Sequence, residues 1–296
     1  MSKRRHPANI TSLIPPKVRV SHKGTYGRVL VIAGSTKYTG AAVLAVEAAL
    51  RSGVGMVVAV AIASVATVIR QRNPEVVVVE VPEQDGVITE AACEMVAASI
   101  KEFNVSAVCI GPGLGCVNDA FYRDCVAQCV DKKLPVVVDA DALAPIYSIL
   151  TAQHVAHQFV FTPHPKEFRR MLDTVANADC DTAQGNVNNS MVVKAAAKVG
   201  QTVVLKTHAT VVSNGKDLWI NETGNAGLAT AGSGDVLAGL MGGLLAQGVE
   251  CYNAAMLGVY MHGMAAEFAA ETVGLRAMVA SDVCDTLPKV FLDMVK

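Results

Sequence analysis

Asn225-Ala226-Gly227-Leu228-Ala229-Thr230-Ala231-Gly232-Ser233-Gly234-Asp235-Val236 runs directly into an uncharged stretch, Val236 to Gln247. The run is small and glycine-rich and carries one acid. The stretch after it reads as a buried helix. A flexible loop feeding a helix start leaves several backbone N–H groups without intrahelical partners, and the helix dipole adds partial positive charge there. Such a place suits an anion, above all a phosphate. Asp235 falls in the first turn, beside that anion. A carboxylate repels a phosphate, so Asp235 makes better sense as a base that takes a proton from a hydroxyl while backbone amides stabilise a transferring phosphoryl group. The structural alternative is a tight turn with Asp235 as a dipole partner. Two features favour the functional reading: Gly232 and Gly234 flank Ser233 directly before the acid, and Gly239, Gly242 and Gly243 permit close packing of the helix.

The rest of the chain supports an α/β enzyme. Its 296 residues suffice for one large domain or two smaller ones. Hydrophobic residues make up 52%, charged residues 17% and aromatics 5%, so the core is built mainly from Val, Ala, Leu and Met. A net charge of −1 gives no reason to expect nucleic acid or an anionic membrane as partner. Lys3-Arg4-Arg5-His6 reads as a short solvated tail with no apolar region after it, and so not as a secretion signal. Ser52 to Ile69 is free of charge over nearly a membrane-spanning length. Yet it divides into a β-rich half (Met56 to Ile62) and a helical half (Ser64 to Ile69), which predicts a buried strand and helix. The eight cysteines form no Cys-x-x-Cys pair; Cys125 and Cys129 share a helix face, but nothing completes a zinc set. This usage suits a reducing, cytoplasmic compartment.

Apolar β-branched runs alternate with alanine-rich helical ones. Predicted strands are Arg28 to Ala33, Met56 to Ile62, Val76 to Val81, Val105 to Ile110, Pro135 to Asp139, Gln158 to Phe161 and Thr202 to Lys206. A hairpin follows, Thr210 to Ser213 and Asp217 to Ile220, turning at Asn214-Gly215. Predicted helices are Ala41 to Arg51, Glu90 to Phe103, Asp119 to Val130, Pro165 to Leu172, Asn186 to Val199, Val236 to Gln247, Asn253 to Thr272 and Ser281 to Met294. Several strands lack polar alternation, as when both faces of a parallel sheet are covered. The expectation is a three-layer α/β/α sandwich with a mostly parallel central sheet and one late hairpin. Residues 1–22 read as an N-terminal extension and residues 23–296 as a single domain.

Ligands of such sheets bind beyond the carboxyl ends of the strands. Five predicted strands end there in small, polar or charged loops: Gly34 to Ala42, Gly111-Pro112-Gly113-Leu114-Gly115, Asp139-Ala140-Asp141-Ala142-Leu143, Thr162-Pro163-His164-Pro165-Lys166-Glu167, and Lys206-Thr207-His208-Ala209-Thr210. The glycine-rich run is the sixth member of the set. Taken singly, each has an ordinary explanation: tight turns at the glycines, a helix cap at Asp139, a rigid surface turn at His164. Their shared placement argues against coincidence.

Gly34-Ser35…Tyr38-Thr39-Gly40-Ala41-Ala42, the Gly111 to Gly115 loop, Asp139 to Leu143, Thr162-Pro163-His164-Pro165…Glu167 and Gly224-Asn225…Ala229-Thr230…Gly232-Ser233-Gly234-Asp235-Val236-Leu237-Ala238-Gly239 together resemble the ADP/ATP-dependent NAD(P)H-hydrate dehydratases, a branch of the ribokinase-like superfamily. The last motif alone marks the superfamily, whereas the ordered set marks this branch. The resemblance runs from about Lys23 to the C-terminus. It implies a repair enzyme that returns hydrated NADH or NADPH (NADHX, NADPHX) to the reduced dinucleotide. Phosphorylation of the ring hydroxyl at C6 by ADP or ATP would precede elimination of phosphate.

The resemblance also implies residue roles. Asp235 is the base and touches the substrate. Gly232, Ser233 and Gly234 offer backbone donors to the phosphoryl group. Lys206, Thr207, His208, Ala209 and Thr210 hold the nucleotide, together with Gly234. Ala41, Gly113 or Gly115, and His164 hold the hydrated dinucleotide. Mg²⁺ accompanies the nucleotide, with no protein ligands assigned. A homotetramer and a separate epimerase in the same pathway are further implications. Lys166 stands where glycine is common in the family, Ser233 where threonine is frequent, and Glu222 and Ala226 where proline is common. Two rivals stand beside this reading. One is a small-molecule kinase for hydroxyethylthiazole, hydroxymethylpyrimidine or pyridoxal, which would leave a stable phosphorylated product. The other is a non-catalytic nucleotide sensor, which would have lost the base. Met256, Met261, His262 and Met264 read as packing rather than a metal site.

Overall fold

The computed structural model of the protein describes residues 6–153, 155–175 and 187–295. In chain order the elements are α1 (Ala8–Thr11), β1 (Arg28–Ile32), α2 (Thr39–Arg51), β2 (Met56–Ala61), α3 (Ala63–Arg72), β3 (Val77–Glu80), β4 (Glu83–Gln84), β5 (Val87–Ile88), α4 (Cys93–Glu102), β6 (Ala107–Ile110), α5 (Asp119–Asp131), β7 (Val136–Val138), α6 (Leu143–Thr151), β8 (Phe159–Phe161) and α7 (Pro165–Asp173). They continue as α8 (Asn189–Val199), β9 (Thr202–Leu205), β10 (Val211–Ser213), β11 (Leu218–Ile220), α9 (Ser233–Ala246), α10 (Cys251–Val273) and α11 (Ala280–Met294).

One nine-stranded sheet runs β11-β10-β9-β8-β7-β6-β1-β2-β3. From β9 to β3 every pairing is parallel, and the last hairpin adds β10 and β11 antiparallel. The chain moves outward from β1 to β3, then returns to β6 on the other side of β1. That reversal opens a crevice at the carboxyl ends of β1 and β6, where ligands of such sheets sit. The central strands are apolar on both faces: Val29 to Ile32, Val57 to Ala61, Ala107 to Ile110 and Val136 to Val138 are all buried. Each fully buried Val, Leu or Ile side chain contributes about 1.5–3 kcal/mol of transfer free energy.

Helix α9 carries the site and lies at the centre of the packing, against α2, β1, β6 and β7. Gly239 and Gly243 face α2, and Gly242 faces Cys109 of β6 and Val29 of β1. A Cβ added to Gly239 would overlap the backbone carbonyl of Ala45, so glycine alone allows this approach. The helix is apolar all round, as a core helix must be.

The expected sandwich and late hairpin are present. Ser52 to Ile69 divides into β2 and α3, and among the described residues no helix is long and apolar enough to cross a membrane. Several features depart from the sequence reading. Helix α9 starts at Ser233, three residues before its apolar run, because its first turn is the glycine-rich motif. Helix α6 was hidden by Pro145, which a helix tolerates in its first turn. The small β4–β5 hairpin turns at Asp85-Gly86, with φ of 53° and 77°. An Asp-Gly pair suits such a turn, but the flanking strands are too short to show alternation. The predicted helix from Glu90 to Phe103 begins with a 3-10 turn, Glu90–Ala92. Lys3 to Arg5, Cys180 and Asn186 lie outside the described residues. Six cysteines are buried and Cys116 is exposed. Met261, His262 and Met264 are buried in α10, and Met256 packs against the core. Within residues 6–22, Ile10 is fully buried and His6 hydrogen-bonds Tyr260 Oη at 2.9 Å, so this segment is packed on the α10–α11 layer.

Candidate active site

Gly232 is the N-cap of α9 and takes a left-handed conformation, φ 91°, which an L side chain rarely adopts. The first intrahelical bond is Val236 N–H to Gly232 O, 3.1 Å. The N–H groups of Ser233, Gly234 and Asp235 precede it and are the helix's unspent donors. Ser233 spends its hydroxyl on Leu228 O, 2.9 Å, which fastens the loop to the helix start. Asp235 is the acid of the first turn.

Three strand ends deliver side chains to this turn. Lys206 follows β9, Asp139 follows β7, and Thr162 follows β8 between them. Asp139 is buried, and its Oδ1 accepts from Lys206 Nζ at 2.7 Å and from Thr162 Oγ1 at 2.6 Å. A Cβ built on Gly234 would lie 3.1 Å from Lys206 Nζ and 3.9 Å from Asp139 Oδ2. Glycine therefore keeps open the space into which the cation and the second carboxylate oxygen face. Ala140, next in the chain, is held at φ 48°, an uncommon conformation for a residue with a Cβ. It separates Asp139, turned towards α9, from Asp141, whose Oδ2 accepts from Gly115 N at 2.8 Å.

Burial pushes the Asp235 carboxyl up to about 7, with the Asp139 charge adding to the rise and Lys206 opposing it. A base poised near neutrality matches proton abstraction at physiological pH. For Lys206, burial favours the neutral amine, but the charges of Asp139 and Glu167 outweigh it and hold the ammonium above its usual range.

His164 is the N-cap of α7. Its Nδ1 accepts from Lys166 N and Glu167 N, and Glu167 returns a bond to His164 N at 2.8 Å. Its Nε2 lies 3.4 Å from Glu167 Oε1, and Glu167 Oε2 lies 3.9 Å from Lys206 Nζ. His164 is thus linked through Glu167 to the Lys206–Asp139 pair, and it is more than a surface turn. Lys166 is exposed.

The remaining predicted residues fall into two groups. Thr207, His208, Ala209 and Thr210 form a closed turn after β9: Thr210 Oγ1 donates to Thr207 O at 3.0 Å and Thr207 Oγ1 to Ala209 O at 2.9 Å, while His208 is exposed. Ala41 and Gly113 meet across the β1–β6 crevice, where a Cβ on Gly113 would lie 2.7 Å from the Ala41 Cβ. Gly115 packs under Val87 of β5. Leu44, one turn beyond Ala41, packs on Gly232 and joins the two groups. Asp139, Thr162, Glu167 and Asp141 carry much of this network, and none of them is among the residues that the sequence reading assigns to catalysis or binding. Asp139 stands at the N-cap of the 3-10 turn Ala140–Ala142, but its side chain makes no capping hydrogen bond. Their signal was position alone, at the carboxyl ends of β7 and β8 beside the strand that bears Lys206.

A cleft of about 860 Å³ at the amino ends of β6, β7 and β8, lined by Ser106, Pro135, Gln158 and Glu250, holds none of the motif residues.

A family model for NAD(P)H-hydrate dehydratase matches residues 29–289. The chain belongs to the NAD(P)H-hydrate dehydratase family. Dehydratases are carbon–oxygen lyases. The chain is 38% identical over 262 residues to the ADP-dependent (S)-NAD(P)H-hydrate dehydratase of Neisseria meningitidis, covering 87% of this chain and 82% of that protein. It is also 38% identical over 290 residues to the bifunctional NAD(P)H-hydrate repair enzyme Nnr of Moorella thermoacetica, where it spans 52% of the relative's length. The chain thus covers about half of such bifunctional relatives. Among solved structures, the ADP/ATP-dependent NAD(P)H-hydrate dehydratase of Bacillus subtilis, co-crystallised with ATP and Mg²⁺, superposes with a TM-score of 0.79 at 30% identity and 96% coverage of both chains. Hydroxyethylthiazole kinase from Pyrococcus horikoshii reaches a TM-score of 0.59 at 15% identity, a likeness of ribokinase-like fold alone.

Proposed function

We propose that this member of the dehydratase family restores NADHX and NADPHX to NADH and NADPH at the expense of a nucleoside diphosphate or triphosphate. The observation that carries the reading is Asp235, pushed up to about 7, one residue beyond a glycine onto which Lys206 and Asp139 converge. Asp235 takes the proton of the ring hydroxyl at C6 as its oxygen attacks the terminal phosphorus and the bridging P–O bond of the nucleotide breaks, releasing AMP from ADP or ADP from ATP. The backbone donors of Ser233, Gly234 and Asp235 hold the phosphoryl oxygens, and Lys206 balances their charge. The new C–O–P ester makes the oxygen a good leaving group. The ring nitrogen's electron pair expels phosphate, a proton leaves C5, and the ring double bond returns. Ala41 and Gly113 leave room for the dinucleotide against backbone, with His164 at its flank. Thr207 to Thr210 meet the nucleotide.

Mg²⁺ bound to a nucleotide keeps most of its contacts to phosphates and water and uses one or two carboxylates. That matches this site. Asp139 Oδ2 faces Gly234, where a phosphate is proposed to sit. Asp139 would hold the ion's outer face, and the ion would supply charge neutralisation of the phosphates. A cytoplasmic homotetramer that relies on a separate epimerase completes the proposal. So does the division into an extension, 1–22, and one domain, 23–296.

The test is to incubate the protein with NADHX, Mg²⁺ and either ADP or ATP and follow reduced-nicotinamide absorbance. Nucleotide-dependent recovery of NADH with release of phosphate is expected, and the faster donor identifies the co-substrate. A stable phosphorylated product without recovery would replace this reading with a small-molecule kinase. Asp235→Asn should abolish turnover and spare nucleotide binding.

A further inference from the structure

Ser35 stands in the loop that follows β1 and enters α2, at the carboxyl end of β1 where the crevice opens. The residue is 1% exposed, and its hydroxyl has no hydrogen-bond partner in the protein. The backbone around it is engaged. Ser35 O accepts from Tyr38 N at 3.0 Å and from Thr39 Oγ1 at 3.4 Å, where α2 starts. Gly34 N donates to Pro112 O at 2.8 Å and joins this loop to the Gly111–Gly115 loop. Thr36 N donates to Gly86 O at 2.9 Å and joins it to the β4–β5 hairpin. The Ser35 hydroxyl takes part in none of these bonds.

What the hydroxyl adjoins is Gly115. A Cβ built on Gly115 would lie 3.8 Å from Ser35 Oγ and 3.0 Å from Val87 Cγ1. Gly115 has φ 76°, and its N–H donates to Asp141 Oδ2 at 2.8 Å, so its place is fixed. Two residues earlier, Gly113 meets Ala41 and Tyr38 across the same crevice. Ser35, Gly115 and Val87 of β5 thus adjoin one point of the crevice. A buried hydroxyl that gives up water without gaining a partner destabilises the folded chain, and native proteins rarely leave one so. Alanine would fill this place without that cost. Serine repays the cost when a bound molecule supplies the missing partner.

We propose that Ser35 is a binding residue for the hydrated dinucleotide, its hydroxyl forming a hydrogen bond with NADHX or NADPHX laid against Gly113 and Gly115. This role rests on the proposed dehydratase reaction. A hydroxyl both donates and accepts, which suits the carboxamide and the ribose hydroxyls of a dinucleotide. Ligand entry parts Val87 from Gly115, and a two-stranded hairpin outside the main sheet is a weak enough cover to allow it. The reacting groups gather at α9, so the Ser35 bond is made alike in the bound substrate and in the transition state. It acts on affinity and leaves the chemical step alone.

The test compares Ser35→Ala and Ser35→Cys with the parent protein. Alanine removes the hydroxyl; cysteine keeps most of the volume and hydrogen-bonds poorly. Three readouts apply: thermal unfolding without ligand; Kd for NADH, NADPH and ADP by titration calorimetry; and kcat and KM for NADHX. Ser35→Ala is expected to melt at least about 2 °C above the parent. Its Kd for NADH and NADPH and its KM for NADHX should rise about tenfold. Its kcat should stay within about threefold and its Kd for ADP within about twofold. Ser35→Cys should weaken the dinucleotides to a similar degree, and it decides should the alanine variant not fold. The proposal is overturned if the variants bind NADH and NADPH within about twofold of the parent. It is equally overturned if affinity and Tm fall together, the pattern of a hydroxyl that holds the loop rather than the ligand. A parent that turns over NADHX beside variants that match it removes Ser35 alone from the site. A parent that neither turns over NADHX nor binds NADH removes the dehydratase reading, and the role of Ser35 with it.

Discussion

Replacing Asp235 with asparagine should stabilise the ligand-free protein while removing its activity, and the gain should depend on pH in a defined way. The Asp235 carboxyl titrates near 3.8 when exposed and at about 7 in the folded chain, raised first by burial and then by the Asp139 charge. The folded state therefore holds this proton more tightly than the unfolded state. At pH well below 4 both states are protonated and the residue costs nothing. Between about pH 4 and 7 the unfolded chain ionises first, so stability falls by about 1.4 kcal/mol per pH unit as pH rises. Above about pH 7 the whole penalty is present. A rise of roughly three units corresponds to about 4 kcal/mol, and partial exposure of the carboxyl brings the expected figure to about 2–4 kcal/mol. Asparagine carries no charge and avoids the penalty. In a chain of this size each kcal/mol moves Tm by about 2–4 °C, so the variant should melt roughly 4–16 °C higher at about pH 8 and nearly level with the parent at about pH 4. Scanning calorimetry or a dye-based melt across that range, without nucleotide, measures the gap. A gap that does not change with pH, or a variant less stable at pH 8, would refute the assignment of Asp235 as a buried, charge-strained carboxyl.

Asp139→Asn removes the like charge beside Asp235, so the acid limb of the kcat/KM profile, expected near 7, should move down by about one unit while kcat falls; a limb that stays in place removes Asp139 from the electrostatics of the base. Thr162→Val takes away one of the two hydrogen bonds to Asp139 Oδ1 and should cost about 1.5–3 kcal/mol in denaturant unfolding, the range for a bond to a charged group. Gly239→Ala should cost at least about 1–3 kcal/mol, because its methyl would overlap Ala45 O and force α2 away from α9; chemical denaturation reads this directly, and an unchanged midpoint would mean the helices part freely. Lys166→Gly should leave kcat and the KM for NADHX within about twofold, since the side chain is exposed and only its backbone N–H serves the His164 cap.

Much of the fold was legible because its largest signals are local. Runs such as Val29-Leu30-Val31-Ile32 and Met56 to Ala61 announce buried parallel strands, and the Asn214-Gly215 pair announces a hairpin. Helix α6 was not legible, because Pro145 breaks the apolar period and only its place after a loop permits it. The site was legible where chemistry is written in consecutive residues: Gly232 to Asp235, the Lys206 to Thr210 turn, the His164 loop. It was illegible where chemistry arises from strand order. Asp139 and Lys206 are 67 residues apart and meet only because β7, β8 and β9 lie side by side, with Thr162 from β8 between them. Nothing in the sequence states that adjacency. His262, on an apolar helix, reads from the sequence as packing, and the structure buries it in α10.

The contact of Gly239 with Ala45 bears on motion. Ala41 stands at the start of α2 and Asp235 at the start of α9, and Gly239 and Ala45 join those helices backbone to backbone, one turn inward from each. The surface proposed to take the dinucleotide and the carboxyl proposed to draw its proton are therefore parts of one stiff body. Their separation is set by the core, with no hinge between them. Any opening and closing around ligand must come from the pieces hung at the rim, such as the Asp85-Gly86 hairpin or the His164 loop. In such a frame, affinity for new dinucleotides can drift at the rim while the reacting distance stays put.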